Sequence, residues 1–306
     1  MVTRNLRREP DDLRAMMALS KALWKLRPPG GPENPGARLV RRWREKRLLA
    51  RVEREWPGGL VLHGSGDLVH VPSPLDARGR HALLHAPHVH PAALGFVLPG
   101  SVVIDVGASL GEWTVPFARK VGPTGRVLAI EPAPRSAAAL QSTLVANALR
   151  QAELVHCAIG DRDGIVEFAV PIVTSVKTDT GMARIGPASP GHHSFQVPLR
   201  SLDSLAAEHG LSRVDLIKID VEGNERRVLD GAAAVLGRDR PVLVMETGHE
   251  EDDNRTAIFE RLAASRYRML GLLLDYGIAP ADWPAYVALR PPFRAGEAHN
   301  LLLVPE

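Results

Sequence analysis

The chain has 306 residues, of which 45% are hydrophobic and 24% charged, and it carries a small formal net charge of +3. This composition is typical of a globular protein and excludes collagen-like and intrinsically disordered classes. No apolar run reaches the roughly 20 residues that span a bilayer, and the start of the chain lacks a secretory signal, so we expect a cytoplasmic protein without a membrane span.

The first 57 residues are predicted to form a basic helical extension. Residues 1–56 contain fifteen Lys or Arg against seven Asp or Glu. Helices are predicted over about 11–26 and 36–55, on either side of the linker RPPGGPENPG. The surplus of positive charge indicates either an acidic partner such as RNA or the solvated face of helices that pack on a core. Because aromatic and basic residues are not interleaved, we favour the second interpretation and expect no nucleic-acid partner.

Residues 58–95 are predicted to form a short hairpin followed by a histidine-rich loop. The pattern GGLVLHGSGDLVHV places the turn of the hairpin at Gly64 to Gly66. The histidines suggest a metal site, but Pro87 and Pro91 interrupt any helix that would carry all of them. We therefore expect a loop or lid beside a ligand pocket, with one histidine as a candidate substrate contact. The four histidines are His81, His85, His88 and His90.

From residue 96 to 306, strands and helices alternate regularly. This alternation predicts an α/β domain with a mostly parallel sheet and helices on both faces. The segment 164–200 breaks the alternation and is predicted to be a β insertion that shapes substrate access. The expected strands fall at about 101–106, 126–131, 153–158, 214–220, 241–246, 267–273 and 300–304. Cys157, the only cysteine, lies in the third of these strands, excludes an internal disulfide and is expected to be a buried, inert thiol.

The first strand, SVVIDV, ends in a glycine turn that leads directly into a helix. Gly107 and Gly111 allow the backbone to approach a ligand, and the start of the helix favours a negative group. The dinucleotide-binding fingerprint would require glycine at Ser109 and Glu112, which argues against a nicotinamide-dependent oxidoreductase. A smaller anion fits better, such as the carboxylate of S-adenosylmethionine, with Asp105 accepting a hydrogen bond from its amino group.

The second strand, GRVLAIE, ends in Glu131 and is terminated by Pro132. An acid at this place is suited to accept hydrogen bonds from both ribose hydroxyls of a nucleoside. The alternative is that Asp105 caps the turn and Glu131 is a solvated strand end. That alternative does not explain why both acids lie at the carboxyl ends of neighbouring strands, where such folds bind ligands.

A second group of charged residues follows the fourth and fifth strands. Lys218 lies within an apolar strand, where its ammonium needs a carboxylate or water. Asp220 and Glu222 follow that strand, and Glu246 ends the next one at the same edge of the sheet. A purely structural network remains the alternative, with Lys218 paired to Glu222 or Glu246 and Glu225 capping a helix start.

These motifs resemble the FkbM family of S-adenosylmethionine-dependent methyltransferases. The resemblance rests on VVIDVGASLGEWT, GRVLAIEPAP, AIGDRDG, SLDSL with LIKIDVEGNE, and VLVMETG, and it extends over about residues 96–306. It implies a class I methyltransferase (Rossmann-like) fold with seven strands, the last antiparallel, and methylation of a hydroxyl on a sugar, glycan or polyketide-type molecule. The sequence differs from many relatives at Ser109, Leu110 and Trp113, which leaves the acceptor open. The implied cofactor contacts are Asp105, Gly107, Ala108, Gly111, Thr114, Glu131, Pro132, Ala158 and Asp161.

We expect Asp220 to act as a base or metal ligand, with Glu222 and Glu246 assisting and Lys218 orienting them. Magnesium bound by Asp220 and Glu246 is compatible with hard oxygen ligands, but the spacing does not require it. The remaining alternatives are an RNA methyltransferase and a non-catalytic module that keeps the cofactor fold. The sequence leaves the oligomeric state open and allows a homo-oligomer.

Overall fold

The computed structural model describes residue 47 and residues 58–73, 76–174, 177–178, 182–187, 190–247, 252–274, 277–284 and 299–306. Apart from Arg47, the two helices predicted over 11–26 and 36–55 lie outside these residues. No helix among the described residues is long and apolar enough to cross a bilayer.

An eight-stranded sheet forms the centre of the molecule. Its strands are short and almost entirely apolar because helices cover both faces, as the sequence predicts. The strand order is β14-β13-β15-β12-β11-β3-β4-β5, with β15 antiparallel to both of its neighbours. The bounds are β3 (Val102–Val106), β4 (Arg126–Ile130), β5 (Ala152–Val155), β11 (Leu216–Ile219), β12 (Val242–Thr247), β13 (Tyr267–Leu274), β14 (Gly277–Ala279) and β15 (His299–Pro305).

The sequence predicts seven strands in this sheet, and the structure adds β14, which pairs antiparallel with β13 at the edge. This strand has three residues, too few for the alternation of apolar and polar positions that identifies a strand in a sequence. The antiparallel last strand, implied by the family resemblance, is confirmed.

Helices pack on the two faces of the sheet through separate apolar clusters. In β3, Ile104 and Val106 point into one cluster and Val103 into the other, because successive strand residues face opposite sides. Burying a side chain of this size contributes about 1.5–3 kcal/mol. The helices are α3 (Thr114–Val121), α4 (Pro134–Ala146), α5 (Leu202–Glu208), α6 (Glu225–Asp230), α7 (Ala233–Asp239) and α8 (Asp252–Ala264).

The segment 164–200 supplies four strands of a second, five-stranded sheet beside the central one, and β6 (Ala158–Ile159) supplies the fifth. Its two long strands pair antiparallel from His192–Pro171 to Leu199–Gly164. An apolar cluster that includes Phe168 and Val197 of this sheet joins it to Ala133 and Ala158 of the main domain. The strands are β6 (Ala158–Ile159), β7 (Gly164–Thr174), β8 (Lys177–Thr178), β9 (Arg184–Ile185) and β10 (His192–Arg200).

The segment before the main domain contains a hairpin and two short helices. The hairpin pairs Gly59 with Val71 and Leu62 with Leu68, and it packs on α4. Its position beside α4 brings the following helix to the carboxyl edge of the central sheet. The elements are β1 (Gly59–Leu62), β2 (Leu68–Val71), α1 (Ala77–Leu84) and α2 (Pro91–Leu94).

Candidate active site

The glycine turn after β3 lies directly against the chain that leaves β11. Gly107 has a φ of +80°, and a Cβ placed there would lie 1.9 Å from the backbone oxygen of Asp220. Only glycine satisfies both the positive φ and this close approach. The turn therefore brings the chain after β3 and the chain after β11 to one cleft of about 210 Å³ at the carboxyl ends of the parallel strands.

Asp105, near the end of β3, is completely buried in the wall of this cleft. Its Oδ2 accepts a hydrogen bond of 2.6 Å from the hydroxyl of Thr114, the first residue of α3. Its Oδ1 is buried and has no hydrogen-bond partner in the part of the chain that the structure describes. Burial raises the pKa of Asp105, although Lys218 and Thr114 oppose the shift. An orphaned buried acceptor of this kind is suited to a donor on a bound ligand.

Glu131 follows β4 and is only 6% exposed. One carboxylate oxygen accepts the backbone N–H of Ser109 and the other that of Ala133, each at 2.8 Å. Burial raises the pKa of Glu131 to about 7 despite these two hydrogen bonds. Since a carboxylate offers about four lone-pair sites, each oxygen can accept a further hydrogen bond from a ligand hydroxyl.

Lys218, in β11, pairs with Asp220 rather than with Glu222 or Glu246, the partners that the structural alternative named. Its Nζ lies 2.7 Å from Oδ2 of Asp220, and its side chain is only 3% exposed. The pairing follows from strand geometry, because residues two apart project to the same face. The same ammonium lies 5.6 Å from the centre of the Trp113 ring, where a cation–π contact adds to the ion pair.

A hydrogen bond joins the side chains of Asp220 and Glu246. Burial alone would raise the pKa of Asp220, but Lys218 and the hydrogen bond from Glu246 outweigh it and hold this pKa well below its usual range. Burial and the neighbouring Asp220 raise the pKa of Glu246 to about 9. At neutral pH, Asp220 is therefore an anion and Glu246 a neutral acid that donates to it.

Glu222 and Glu225 take different places after β11. Glu222 has a φ of +52° and lines the cleft. Glu225 is the first residue of α6, and its Oε1 accepts the backbone N–H of Gly223 at 2.9 Å. Glu225 thus stabilises the helix start, as the structural alternative expected of it, while Glu222 faces the ligand side.

The structure brings most of the residues named from the sequence to the wall of one cleft. These are Asp105, Gly107, Ala108, Glu131, Pro132, Ala158, Lys218, Asp220, Glu222 and Glu246.

Three further residues predicted as cofactor contacts lie outside the cleft wall. Gly111 packs against Leu140, whose Cδ1 would lie 2.9 Å from a Cβ at that position. The hydroxyl of Thr114 is engaged by Asp105 beneath the cleft surface. Asp161 lies at the surface, with its nearest cation on Arg162 at 3.8 Å. Thr114 supports the site through Asp105, whereas Gly111 and Asp161 do not line it.

Several residues of the cleft wall were not predicted from the sequence. Asn224 donates a 2.7 Å hydrogen bond to the backbone oxygen of Ile159, and Oδ1 of Asn300 is buried without a partner among the described residues. The sequence could have indicated Asn300, because an antiparallel strand begins at the edge of the sheet where the parallel strands end. Asn300 lies opposite Glu246 in the pairing of β15 with β12. The unpredicted residues include Arg78, Glu112, Trp113, Asn224 and Asn300.

The histidine-rich segment contacts the rim of the site through Glu112. His81 Nε2 lies 3.2 Å and His88 Nδ1 3.8 Å from the same oxygen of Glu112, and the His81 and His85 rings stack at 4.4 Å. Within the described ranges, no group of three or more His, Cys, Asp or Glu is arranged to hold a metal ion. Asp220 and Glu246 are the residues predicted to bind magnesium if a metal is present. In the structure Asp220 accepts a hydrogen bond from the Lys218 ammonium, and Asp220 and Glu246 are hydrogen-bonded to each other.

Cys157 lines the cleft near Ala158. Burial raises the pKa of its thiol to about 12, so the thiol stays protonated and unreactive at neutral pH.

Comparison with known proteins adds a family and several relatives. The model of the methyltransferase FkbM domain matches residues 105–276. The 31-O-demethyl-FK506 methyltransferase FkbM of Streptomyces tacrolimicus is 29% identical over 157 residues, which cover 44% of this chain and 60% of that protein. The 2-O-methyltransferase NoeI of Sinorhizobium fredii (strain NBRC 101917 / NGR234) is 27% identical over 152 residues, covering 46% of this chain and 61% of that protein.

A crystal structure of the methyltransferase FkbM from Methylobacillus flagellatus KT is 20% identical, with a TM-score of 0.44, and the match covers 67% of this chain and 44% of that one. This chain spans about three fifths of the length of the two curated relatives described above.

Proposed function

Because this chain belongs to the FkbM methyltransferase family, we propose that it transfers a methyl group from S-adenosylmethionine to a hydroxyl group of a small molecule. The observation that carries the proposal is Oδ1 of Asp105, which has no partner among the described residues and lies in a cleft that Asp220 also lines. The two relatives described above are both named for methyl transfer at an oxygen, which supports an oxygen acceptor.

The residues of the cleft fit S-adenosylmethionine. Asp105 offers a buried acceptor to the amino group, and Glu131 offers two oxygens to the ribose hydroxyls. Ala158 and Ile159 provide an apolar wall for the adenine ring. The wall has six carboxyl groups against two cations, Arg78 and Lys218, and this negative balance favours a cationic ligand.

When bound, S-adenosylmethionine supplies an electrophilic methyl group on a sulfonium. The acceptor oxygen forms the new C–O bond as the C–S bond breaks, and the sulfur leaves with the bonding electron pair. Asp220 takes the proton of the hydroxyl. Its low pKa does not prevent this role, because the hydroxyl becomes strongly acidic as its oxygen gains the methyl group.

The remaining charged residues keep Asp220 in position and ionised. Lys218 donates a hydrogen bond to one carboxylate oxygen of Asp220, and Glu246 donates a hydrogen bond to the same side chain. Holding donor, acceptor and base in one geometry contributes about 7–11 kcal/mol in well-oriented reactions, and a positioned base contributes about 10²–10⁴-fold.

The test uses S-adenosylmethionine labelled in its methyl group, a host metabolite extract, and mass spectrometry to locate the label. We expect the wild-type protein to label a small molecule and the Asp220→Asn variant to lose at least about 100-fold in rate. Asparagine can still accept a hydrogen bond from Lys218, so the fold and the affinity for S-adenosylmethionine should be retained.

Glu260→Gln, an acid-to-amide change at an exposed position of α8, is the matched control and should keep wild-type activity. An Asp220→Asn variant with full activity would contradict the role of Asp220. Label found in RNA would favour the RNA methyltransferase, and a protein that binds the donor but transfers no label would favour a non-catalytic module.

A further inference from the structure

Arg78 enters the cleft from outside the region matched by the family model. It is the second residue of α1, and the matched region begins at residue 105. The side chain of Asp76 caps this helix and accepts the backbone N–H groups of Arg78 at 3.0 Å and Gly79 at 3.4 Å. A Cβ at Gly79 would lie 2.0 Å from the backbone oxygen of Ser73, so the helix start is pressed against the preceding turn.

The segment that carries Arg78 is held on the main domain by directional contacts. Asn147, at the end of α4, accepts the backbone N–H of Leu68 at 2.9 Å and donates to its oxygen at 2.6 Å. The backbone N–H of His70 donates to the hydroxyl of Thr143 at 2.9 Å. Arg119 of α3 pairs with Asp67 at 3.0 Å, and Asp67 is largely buried. These contacts fix the position of the hairpin on α3 and α4, beside the cleft.

Apolar packing adds to these contacts. Val71 and Leu83 share a buried cluster with Leu110 of the glycine turn and Ala139 of α4. The hairpin and the end of α1 are therefore packed against the glycine turn, and the start of α1 lies against the hairpin, where Val71 Cγ1 is 3.5 Å from a Cβ built at Gly79. A basic side chain at this position is held at the cleft and is not left to extend into solvent.

The guanidinium of Arg78 lies among carboxylates without bonding to any of them. Burial would lower its pKa, but the fields of Asp220, Glu246, Glu112 and Glu222 outweigh this and raise it. In the part of the chain that the structure describes, the guanidinium makes no hydrogen bond, whereas Lys218 is bonded directly to Asp220. The Arg78 side chain is partly exposed and lines the cleft, so its donors face the space that a ligand would fill.

We propose that Arg78 is an acceptor-binding residue that donates hydrogen bonds to a neutral oxygen next to the hydroxyl that receives the methyl group. This inference rests on the proposed function. A carboxylate and a guanidinium that line the same cleft match two neighbouring oxygens of one molecule, one donating to Asp220 and the other accepting from Arg78. A carboxylate or phosphate on the acceptor is disfavoured, because the wall already holds six carboxyl groups against two cations.

The test measures binding of three ring alcohols to the full chain with S-adenosylhomocysteine bound, by saturation-transfer NMR. The probes are cyclohexanol, cis-1,2-cyclohexanediol and cis-2-hydroxycyclohexanecarboxylate. We expect the wild-type protein to bind the diol about tenfold more tightly than cyclohexanol, the effect of one charge-assisted hydrogen bond. The carboxylate should bind no more tightly than cyclohexanol.

In Arg78→Gln, the ratio of the affinity for the diol to the affinity for cyclohexanol should fall to about one. Arg78→Lys should keep part of the preference, because an ammonium still donates but lacks the planar fork of a guanidinium. Arg184→Gln is the matched control, since Arg184 lies between the cleft-lining residues Ala183 and Ile185 but has an exposed side chain. It should keep the full preference.

An unchanged preference in Arg78→Gln, the absence of a preference in the wild type, or tighter binding of the carboxylate would each overturn the inference. Binding of S-adenosylhomocysteine to each variant reports that the fold is intact. If Arg78→Gln does not bind S-adenosylhomocysteine, the test uses Arg78→Lys instead. A diol preference in Arg78→Lys as large as that of the wild type would then count against the role of Arg78. Failure of the wild type to bind S-adenosylhomocysteine would instead contradict the proposed function.

Discussion

Two carboxyl groups on the cofactor side of the cleft have raised pKa values for the same main reason, which is burial. One oxygen of Asp105 has no partner within the described ranges, whereas both oxygens of Glu131 accept backbone N–H groups. Glu131 is therefore held in a fixed orientation before any ligand binds, and its protonation state controls how well it accepts hydroxyl donors.

We expect Glu131 to make cofactor binding depend on pH near neutrality. With its pKa at about 7, the carboxylate is mostly ionised at pH 8 and mostly protonated at pH 6. An ionised carboxylate accepts from ribose hydroxyls, so we expect the affinity for S-adenosylhomocysteine to fall up to about tenfold as the pH is lowered from 8 to 6.

Calorimetry at both pH values measures this dependence, with Glu131→Gln as the control. The ligand's own amino group titrates equally in both proteins, so the difference between their pH profiles isolates Glu131. Identical profiles would show that this carboxylate does not contact the ligand.

On the acceptor side, the roles of single residues depend on pairing that a sequence shows only in part. Lys218 needed a carboxylate because it lies in a buried strand, and the sequence predicted this need correctly. Which acid it would choose depended on side-chain direction in β11, and the structure shows Asp220. The hydrogen bond between Asp220 and Glu246 forms because β11 and β12 are neighbours in the sheet. A local sequence pattern does not reveal which strands are neighbours.

The chain after β3 and the chain after β11 lie in close contact. This contact joins the side of the cleft that holds Asp105 to the side that holds Asp220. Gly107 lies at this contact, and the backbone of Asp220 leaves no space for a side chain there. A shift of either segment would move Asp105 and Asp220 relative to each other.

Gly107→Ala should therefore damage both stability and cofactor binding. Gly210 is the matched control, since it also has a positive φ, +61°, but no atom lies within 4 Å of a Cβ built there. We expect Gly210→Ala to cost about 1–2 kcal/mol for the backbone conformation alone. Gly107→Ala should cost roughly 1–3 kcal/mol more, because the backbone must also shift.

Urea unfolding and calorimetry with S-adenosylhomocysteine measure these two effects. Equal losses of stability in the two variants, with binding retained in Gly107→Ala, would mean that the close approach does not organise the site.

Most elements of the central sheet could be predicted because its strands are apolar runs that end in Gly, Pro or an acid. The predicted strand over 153–158 is divided in the structure into β5 and β6, of which β6 pairs with the insertion. That division could not be predicted, because the residues before and after the break are equally apolar. The pairing depends on β10, which lies about forty residues later in the chain.

At the scale of the whole molecule, three parts of the chain meet at one cleft. The main domain supplies the glycine turn and the strand-end acids, the insertion supplies Phe168 and Ile185, and the segment before the domain supplies Arg78. The first contribution follows from motifs within the sequence. The other two follow from tertiary docking, and a basic residue in a short helix is typical of a solvated surface, so Arg78 carried no signal.

We propose that this cleft binds S-adenosylmethionine through Asp105, the glycine turn and Glu131. Titration calorimetry with S-adenosylhomocysteine tests it most directly, because the demethylated product binds without turnover. We predict one saturable site in the wild-type protein, weaker binding in Asp105→Ala, and unchanged binding in Glu260→Gln. A correctly folded wild-type protein that gives no heat of binding with either the donor or this product would contradict the claim.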